Sequence, residues 1–142
     1  MTEKSTRRTF LGAAGAAGAV AAMGFNRTAQ AAETDGWITQ TASFRLNPEK
    51  RDEAVAFLEK LCAAVEEKEP GVLAYIVHEV PNDGGRLLFF EIYESQQALA
   101  DHAQQPHLGE MRQGFAQGIF QPLSAEAPVE IVRLDRIAGF SR

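Results

Sequence analysis

The chain has 142 residues, with 14 Lys and Arg against 19 Asp and Glu and a formal net charge of −5. An acidic balance argues against nucleic acid as a partner, because affinity for a phosphate backbone rests on clustered basic side chains. The single cysteine, Cys62, excludes an intrachain disulfide and a cysteine-rich metal site.

The first feature in chain order is Thr6-Arg7-Arg8-Thr9-Phe10-Leu11, paired arginines and a Phe-Leu pair directly before an apolar run. That order is expected of a twin-arginine export signal. The run from Leu11 to Phe25 is about fifteen residues of mostly Ala, Gly, Val and Met, shorter than the roughly 20 that span a bilayer as a helix. Ala29-Gln30-Ala31 is a small-x-small site for cleavage before Ala32. The expected organisation is a signal peptide over residues 1–31 and one domain over residues 32–142. Removing Lys4, Arg7, Arg8, Arg27 and Glu3 with the signal leaves 10 basic and 18 acidic residues. With no cysteine at the cleavage site to take a lipid, the expectation is a periplasmic or secreted protein without a stable membrane anchor. Its transient partner is the twin-arginine (Tat) export machinery.

Trp37 to Leu46 alternates, with Ile38, Ala42, Phe44 and Leu46 on one side, and predicts a strand. Asn47-Pro48 then supplies a helix N-cap and a first-turn proline. The helix that follows carries Ala54, Phe57, Leu58, Leu61, Cys62 and Val65 at three- and four-residue steps, with Glu53, Glu59, Lys60, Glu66 and Glu67 on its other faces. Pro70-Gly71 ends the connection. Val72 to Val80, the turn Pro81-Asn82-Asp83-Gly84-Gly85, and Arg86 to Glu94 together predict a β-hairpin.

Ser95 can cap a second helix reaching about Gln105, where Pro106 interrupts it. Leu108, Met111, Phe115 and Ile119 continue at helical spacing, weakened by Gly109, Gly114 and Gly118. After a proline-containing loop, Val129 to Ile137 predicts a fourth strand, with Val129, Ile131 and Arg133 set against Glu130, Val132 and Leu134.

The order β-α-β-β-α-β is that of a ferredoxin-like α+β domain with helices on one face of an antiparallel sheet. Both hairpin strands are apolar at both parities, as in Leu87-Leu88-Phe89-Phe90-Glu91-Ile92-Tyr93. A sheet covered on one side only alternates apolar with polar. The second face is therefore expected to meet a second copy of the chain, giving a homodimer in which two sheets form a dimeric α+β barrel.

Glu69-Pro70-Gly71, Tyr75, Phe90-Glu91-Ile92-Tyr93, Ala98-Leu99, His102 and Pro106-His107 together resemble the pattern of the antibiotic biosynthesis monooxygenase family, which includes small quinol monooxygenases. The motif runs from Glu69 to about Phe115, and the element order extends it across the domain. One departure is Tyr93, where members often carry Trp. The resemblance implies a dimeric α+β barrel that adds oxygen to phenols, quinols or polyketide rings, using dioxygen and no metal, flavin or other cofactor. The chemistry is intelligible: a deprotonated hydroquinone can itself give an electron to dioxygen. A general base, an apolar cage and a donor for the developing oxyanion then suffice.

His102 lies three and four residues after Leu99 and Ala98, on their apolar helix face. Its imidazole is the candidate base for a phenol proton, or else a helix histidine bonded to a nearby acceptor. Glu91 shares strand parity with Phe89 and Tyr93, which sets a carboxylate on an apolar sheet face where it needs a partner. It is the candidate orienter of His102 or ligand for a substrate hydroxyl, with an ion pair to Arg45, Arg86 or Arg112 as the alternative. Tyr75, Tyr93, His107, Phe89 and Phe115 are candidates for binding an aromatic substrate, Phe90 and Phe120 for core or pocket wall. His78, His102 and His107 are the chain's three histidines, and they lack the spacing of a helical metal pair. Two rival readings remain open. One is a haem-binding or haem-degrading barrel through His102, although the first strand lacks the asparagine usual in such degraders. The other is a non-catalytic stress-response module holding an apolar ligand.

Overall fold

The computed structural model describes residues 36–139, so the export signal expected over residues 1–31 lies outside the described residues. β1 (Ile38–Leu46) leads through Asn47, whose side chain accepts from the Glu49 amide, and a 3-10 turn at Pro48–Lys50 into α1 (Arg51–Lys68). β2 (Val72–Glu79) and β3 (Arg86–Tyr93) form the hairpin. Its turn places Asn82, Gly84 and Gly85 at positive φ, a conformation that Asn and Gly adopt at least cost. Ser95 caps α2 (Gln96–His102), its hydroxyl accepting from the Ala98 amide. α3 (Pro106–Ala116) starts at the proline itself.

The second helix ends three residues before the expected limit of Gln105. Pro106 holds Gln105 extended, at φ −65° and ψ 143°, as the residue before a proline prefers. The chain therefore breaks and restarts as α3. A two-residue strand, β4 (Phe120–Gln121), occupies part of what the sequence predicts as loop. Two residues carry no readable period, and β4 exists because Gly118, at φ +70°, turns Phe120 back onto Leu46. The final strand, β5 (Glu130–Leu134), is shorter than the expected Val129–Ile137.

All strand pairs are antiparallel, in the order β2-β3-β1-β4, with β5 also paired to β1. This is the ferredoxin-like α+β arrangement. Phe44, Leu46, Leu87 and Phe89 pack from the sheet against Ala54, Leu58, Leu61 and Val65 of α1, with Met111 and Phe120 completing the core. Phe44 organises one end, its ring 5.0 Å from Phe89, 5.1 Å from Phe115 and 5.2 Å from Phe120. Each large apolar side chain buried in this way contributes about 1.5–3 kcal/mol.

Strand register assigns the opposite face without ambiguity. Ile76, Phe90, Thr41 and Val132 lie in one row across it, and Ala74, Ile92, Thr39 and Leu134 in the next. No helix of the described residues packs there, and Ile76 keeps 49% of its surface exposed, Val132 43% and Leu134 41%.

The start of β2 is drawn tightly against α2 by Gly71. A Cβ added there would lie 2.7 Å from the Ala98 Cβ and 3.1 Å from Glu94 Oε1, closer than carbon atoms pack. Gly71→Ala should therefore cost about 1–3 kcal/mol of stability, a fall in Tm of roughly 5–15 °C by differential scanning calorimetry; an unchanged Tm would show that α2 can shift freely.

Candidate active site

Between the sheet and α2–α3 lies an open cavity of about 440 Å³, within the range of small-molecule sites. Its floor is the helix-facing side of the sheet, where Arg133, Gln40, Glu91 and Tyr75 stand in one register row and Ile131, Ala42 and Phe89 in the next. Leu99, His102, Leu108 and Met111 form the opposite wall. Arg112 and the exposed Val129 and Ile131 edge the opening. The lining is thus mainly apolar, with a few polar groups on one strip.

Glu91 is buried, at 4% exposure. Both of its bonds fall on one oxygen: Gln40 Nε2 donates to Oε2 at 2.5 Å and the Tyr93 hydroxyl donates to it at 2.9 Å. Oε1 has no hydrogen-bond partner among the described residues. Two of the three cations expected near it are engaged elsewhere, and Arg112 lines the cavity without an ion pair to it. Arg45 pairs with Asp83 and Arg86 with Glu130, and no bond joins Glu91 to His102.

The carboxylate that holds His102 is Glu69, which replaces Glu91 as orienter. His102 Nδ1 lies 2.8 Å from Glu69 Oε2, and His107 Nε2 lies 2.6 Å from Glu69 Oε1. All three groups are buried, at 6%, 6% and 7% exposure for Glu69, His102 and His107. Glu69 caps the C-terminal end of α1, where the helix dipole disfavours an anion. Burial adds to that penalty, and two imidazole donors offset both. An ionised carboxylate only accepts, so Nδ1 of His102 carries the hydrogen and Nε2 keeps the lone pair. That ring lines the cavity, 5.4 Å from Tyr75 and 5.3 Å from Tyr93 between centroids.

The ligand-type atoms of Glu69, His102 and His107 converge to within 4.8 Å. The carboxylate stands between the rings at hydrogen-bond distances, and each ring addresses a different oxygen. Ligands around one ion at about 2.0–2.1 Å stand farther from each other than these contacts, so the arrangement is that of a doubly held carboxylate.

The other predicted residues divide. Tyr75, Phe89 and Phe115 line the cavity with His102 and Glu91. Tyr93 is fully buried beneath it, at 0% exposure, and supports Glu91. His107 faces away, into a groove of about 210 Å³ between α1 and α3. Sequence reasoning gave no role to Gln40, Arg133 or Glu69. An acid at a helix C-terminus directly before Pro-Gly was the available signal for the last.

Burial is the main cause that pushes the Tyr75 and Tyr93 phenols far above their ordinary range, followed by the charge of Glu91. Both stay neutral donors, and Tyr75 lines the cavity with its ring against Phe89 and His102. Unfolding frees these phenols to ionise. The stability they contribute is complete below their unfolded value of about pH 10 and is lost as pH rises above it. They are the chain's two tyrosines. Alkaline titration should therefore show tyrosinate absorbance growing in one cooperative step that coincides with loss of circular dichroism; ionisation that precedes unfolding would contradict the burial argument.

Comparison with known proteins agrees with this geometry. The family model described as antibiotic biosynthesis monooxygenase (ABM) matches residues 37–114, more than half of the chain. An uncharacterised protein of Synechocystis sp. is 29% identical over 76 residues, 54% of this chain and 51% of that protein. The chain thus spans about half the length of this curated relative. A solved structure from Bacteroides thetaiotaomicron, provisionally named an antibiotic biosynthesis monooxygenase, superposes with a TM-score of 0.64 at 18% identity, covering 77% of this chain and 97% of that one. One of the same provisional name from Caulobacter crescentus gives 0.62 at 24% identity, covering 72% and 92%. Rv0793 from Mycobacterium tuberculosis gives 0.59 at 26% identity, covering 75% and 100%. The structural likeness carries the fold and the family model carries the assignment: the chain belongs to the antibiotic biosynthesis monooxygenase family.

Proposed function

We propose that the protein is a monooxygenase that needs no bound cofactor and oxidises a quinol-like or polyphenolic small molecule with dioxygen. The observation that carries this reading is a pair of free acceptors in an apolar cavity. His102 Nε2 and Glu91 Oε1 both lack a hydrogen-bond partner among the described residues, and both side chains line the same space. A phenolic hydroxyl can give its proton to the imidazole while a second hydroxyl bonds the carboxylate. The Tyr75 hydroxyl is a donor for an oxyanion. The apolar walls limit the water around the reactive pair. The quinol is its own reductant: one oxygen atom enters the ring, the other leaves as water, and a hydroxylated quinone results.

The same proposal includes a homodimer and export. The apolar rows through Phe90 and Ile76 support an isologous contact between two sheets, and the Arg7-Arg8 signal supports passage through the Tat machinery to the periplasm or beyond. Purified protein should speed oxygen uptake with hydroquinones, and His102→Gln should lower that rate by about 10²–10⁴-fold; no acceleration by the wild type across several quinols would sink the reading. In solution the wild type should have the mass of two chains by light scattering, and Phe90→Asp that of one. A single-chain mass for the wild type would remove the dimer.

A further inference from the structure

His107 has no part in the chemistry described so far, yet it is buried and in contact with Glu69, the carboxylate that orients His102. A proton taken from a ligand must leave the cavity or remain as an added charge beside Arg112 and Arg133, which share the lining with His102. His102 lines the ligand space and meets Glu69 through Nδ1, which leaves Nε2 unbonded among the described residues. Glu69 in turn holds His107, which opens on a second space, the groove lined by Lys60 and Lys68 of α1 and Glu110 of α3. His107 Nδ1 has no hydrogen-bond partner among the described residues. The three side chains thus run from the cavity to the groove between α1 and α3.

We propose that Glu69, His102 and His107 form a proton-exchange unit that couples deprotonation of a phenolic ligand in the cavity to proton release into the groove between α1 and α3. The inference rests on the reading of the cavity as a phenol or quinol site. The physical basis is charge conservation in a buried place. One carboxylate balances one imidazolium, and a second positive charge there lacks compensation. The proposed cycle starts with the extra proton of the unit on His107 and a free lone pair on His102 Nε2. When the ligand O–H bond breaks, a new N–H bond forms at His102 Nε2, and His102 becomes the cation that Glu69 balances. The N–H bond at His107 Nδ1 then breaks and its proton passes to water in the groove. The net charge of the unit does not change. Later return of the His102 proton to the reduced oxygen restores the start, with His107 recovering a proton from water. The groups facing His102 are Tyr75 on β2, Glu91 and Tyr93 on β3, Arg112 on α3 and Arg133 on β5. Both phenols stay neutral, which leaves the imidazole pair to move the proton. Lys60, beside His107, is 3.4 Å from Glu110, a contact that faces solvent.

Nitrophenol is the probe, because its ionisation is visible without dioxygen. In weakly buffered solution with a pH indicator, mixing it with the wild-type protein should produce the phenolate band and release one proton for each phenolate formed. His107→Gln should still bind nitrophenol but release the proton about tenfold more slowly. Imidazole in solution, small enough for the groove, should restore the rate, a response that a merely structural defect lacks. A ¹⁵N spectrum of the wild type supplies a second measurement that needs no variant: nitrophenol should shift the Nδ1 signal of His107. Proton release unchanged in the variant, failure of imidazole to restore it, an unmoved His107 signal, or a stoichiometric transition metal in the purified protein overturns the proposal. Oxygen uptake is read separately. Its absence alongside intact proton release overturns the oxygenase reading and leaves the exchange unit standing.

Discussion

The burial of one carboxylate governs how the rest of this site is built. Glu69 ends α1 at the wrong pole of the helix dipole and has almost no contact with water. It is tolerable there only because two imidazoles from two other helices meet it. That requirement fixes α2 and the start of α3 relative to α1, and through Gly71 it fixes the first residue of β2 as well. The break at Pro106 is part of the same arrangement. A continuous helix from Ser95 to Ala116 would carry His102 and His107 on different faces, 500° apart in rotation at 100° per residue, and one carboxylate could not hold both.

A second buried carboxylate solves the same problem by different means. Glu91 meets Gln40 and Tyr93, two neutral donors, both directed at a single oxygen. The result is asymmetric: one oxygen is fully occupied inside the sheet and the other is left for whatever enters the cavity. Glu69 has both oxygens committed. The two acids therefore differ in kind, one positioning imidazoles and one offering an acceptor, and the distinction lies wholly in where their donors stand.

Much of the fold was legible because hydrophobic period and punctuation agreed. The three- and four-step spacing of Ala54, Leu58, Leu61 and Val65 marks the buried stripe of α1, and Ser95 and Pro106 mark the starts of α2 and α3. The site was legible in part. His102 could be placed on an apolar face from its spacing to Leu99, and Glu91 from its parity with Phe89. The pairing of His102 with Glu69 across 33 residues could not be read in this way, because it depends on how α1 and α2 pack, which no local period encodes. Strand parity with Phe89 and Tyr93 favoured Glu91 for that role, whereas its bonded oxygen goes to Gln40 and Tyr93. β4 escaped notice for a related reason: it is held by tertiary pairing to Arg45 and Leu46, not by any pattern of its own.

The outer wall of the cavity hangs on a single strand pairing. Ile131 and Arg133 lie on β5 and Val129 just before it, and among the described residues this five-residue strand pairs only with β1. The side of the chamber therefore rests on one ladder of five residues, and a change in β1 at Gln40 or Ala42 reaches the cavity through floor and wall at once.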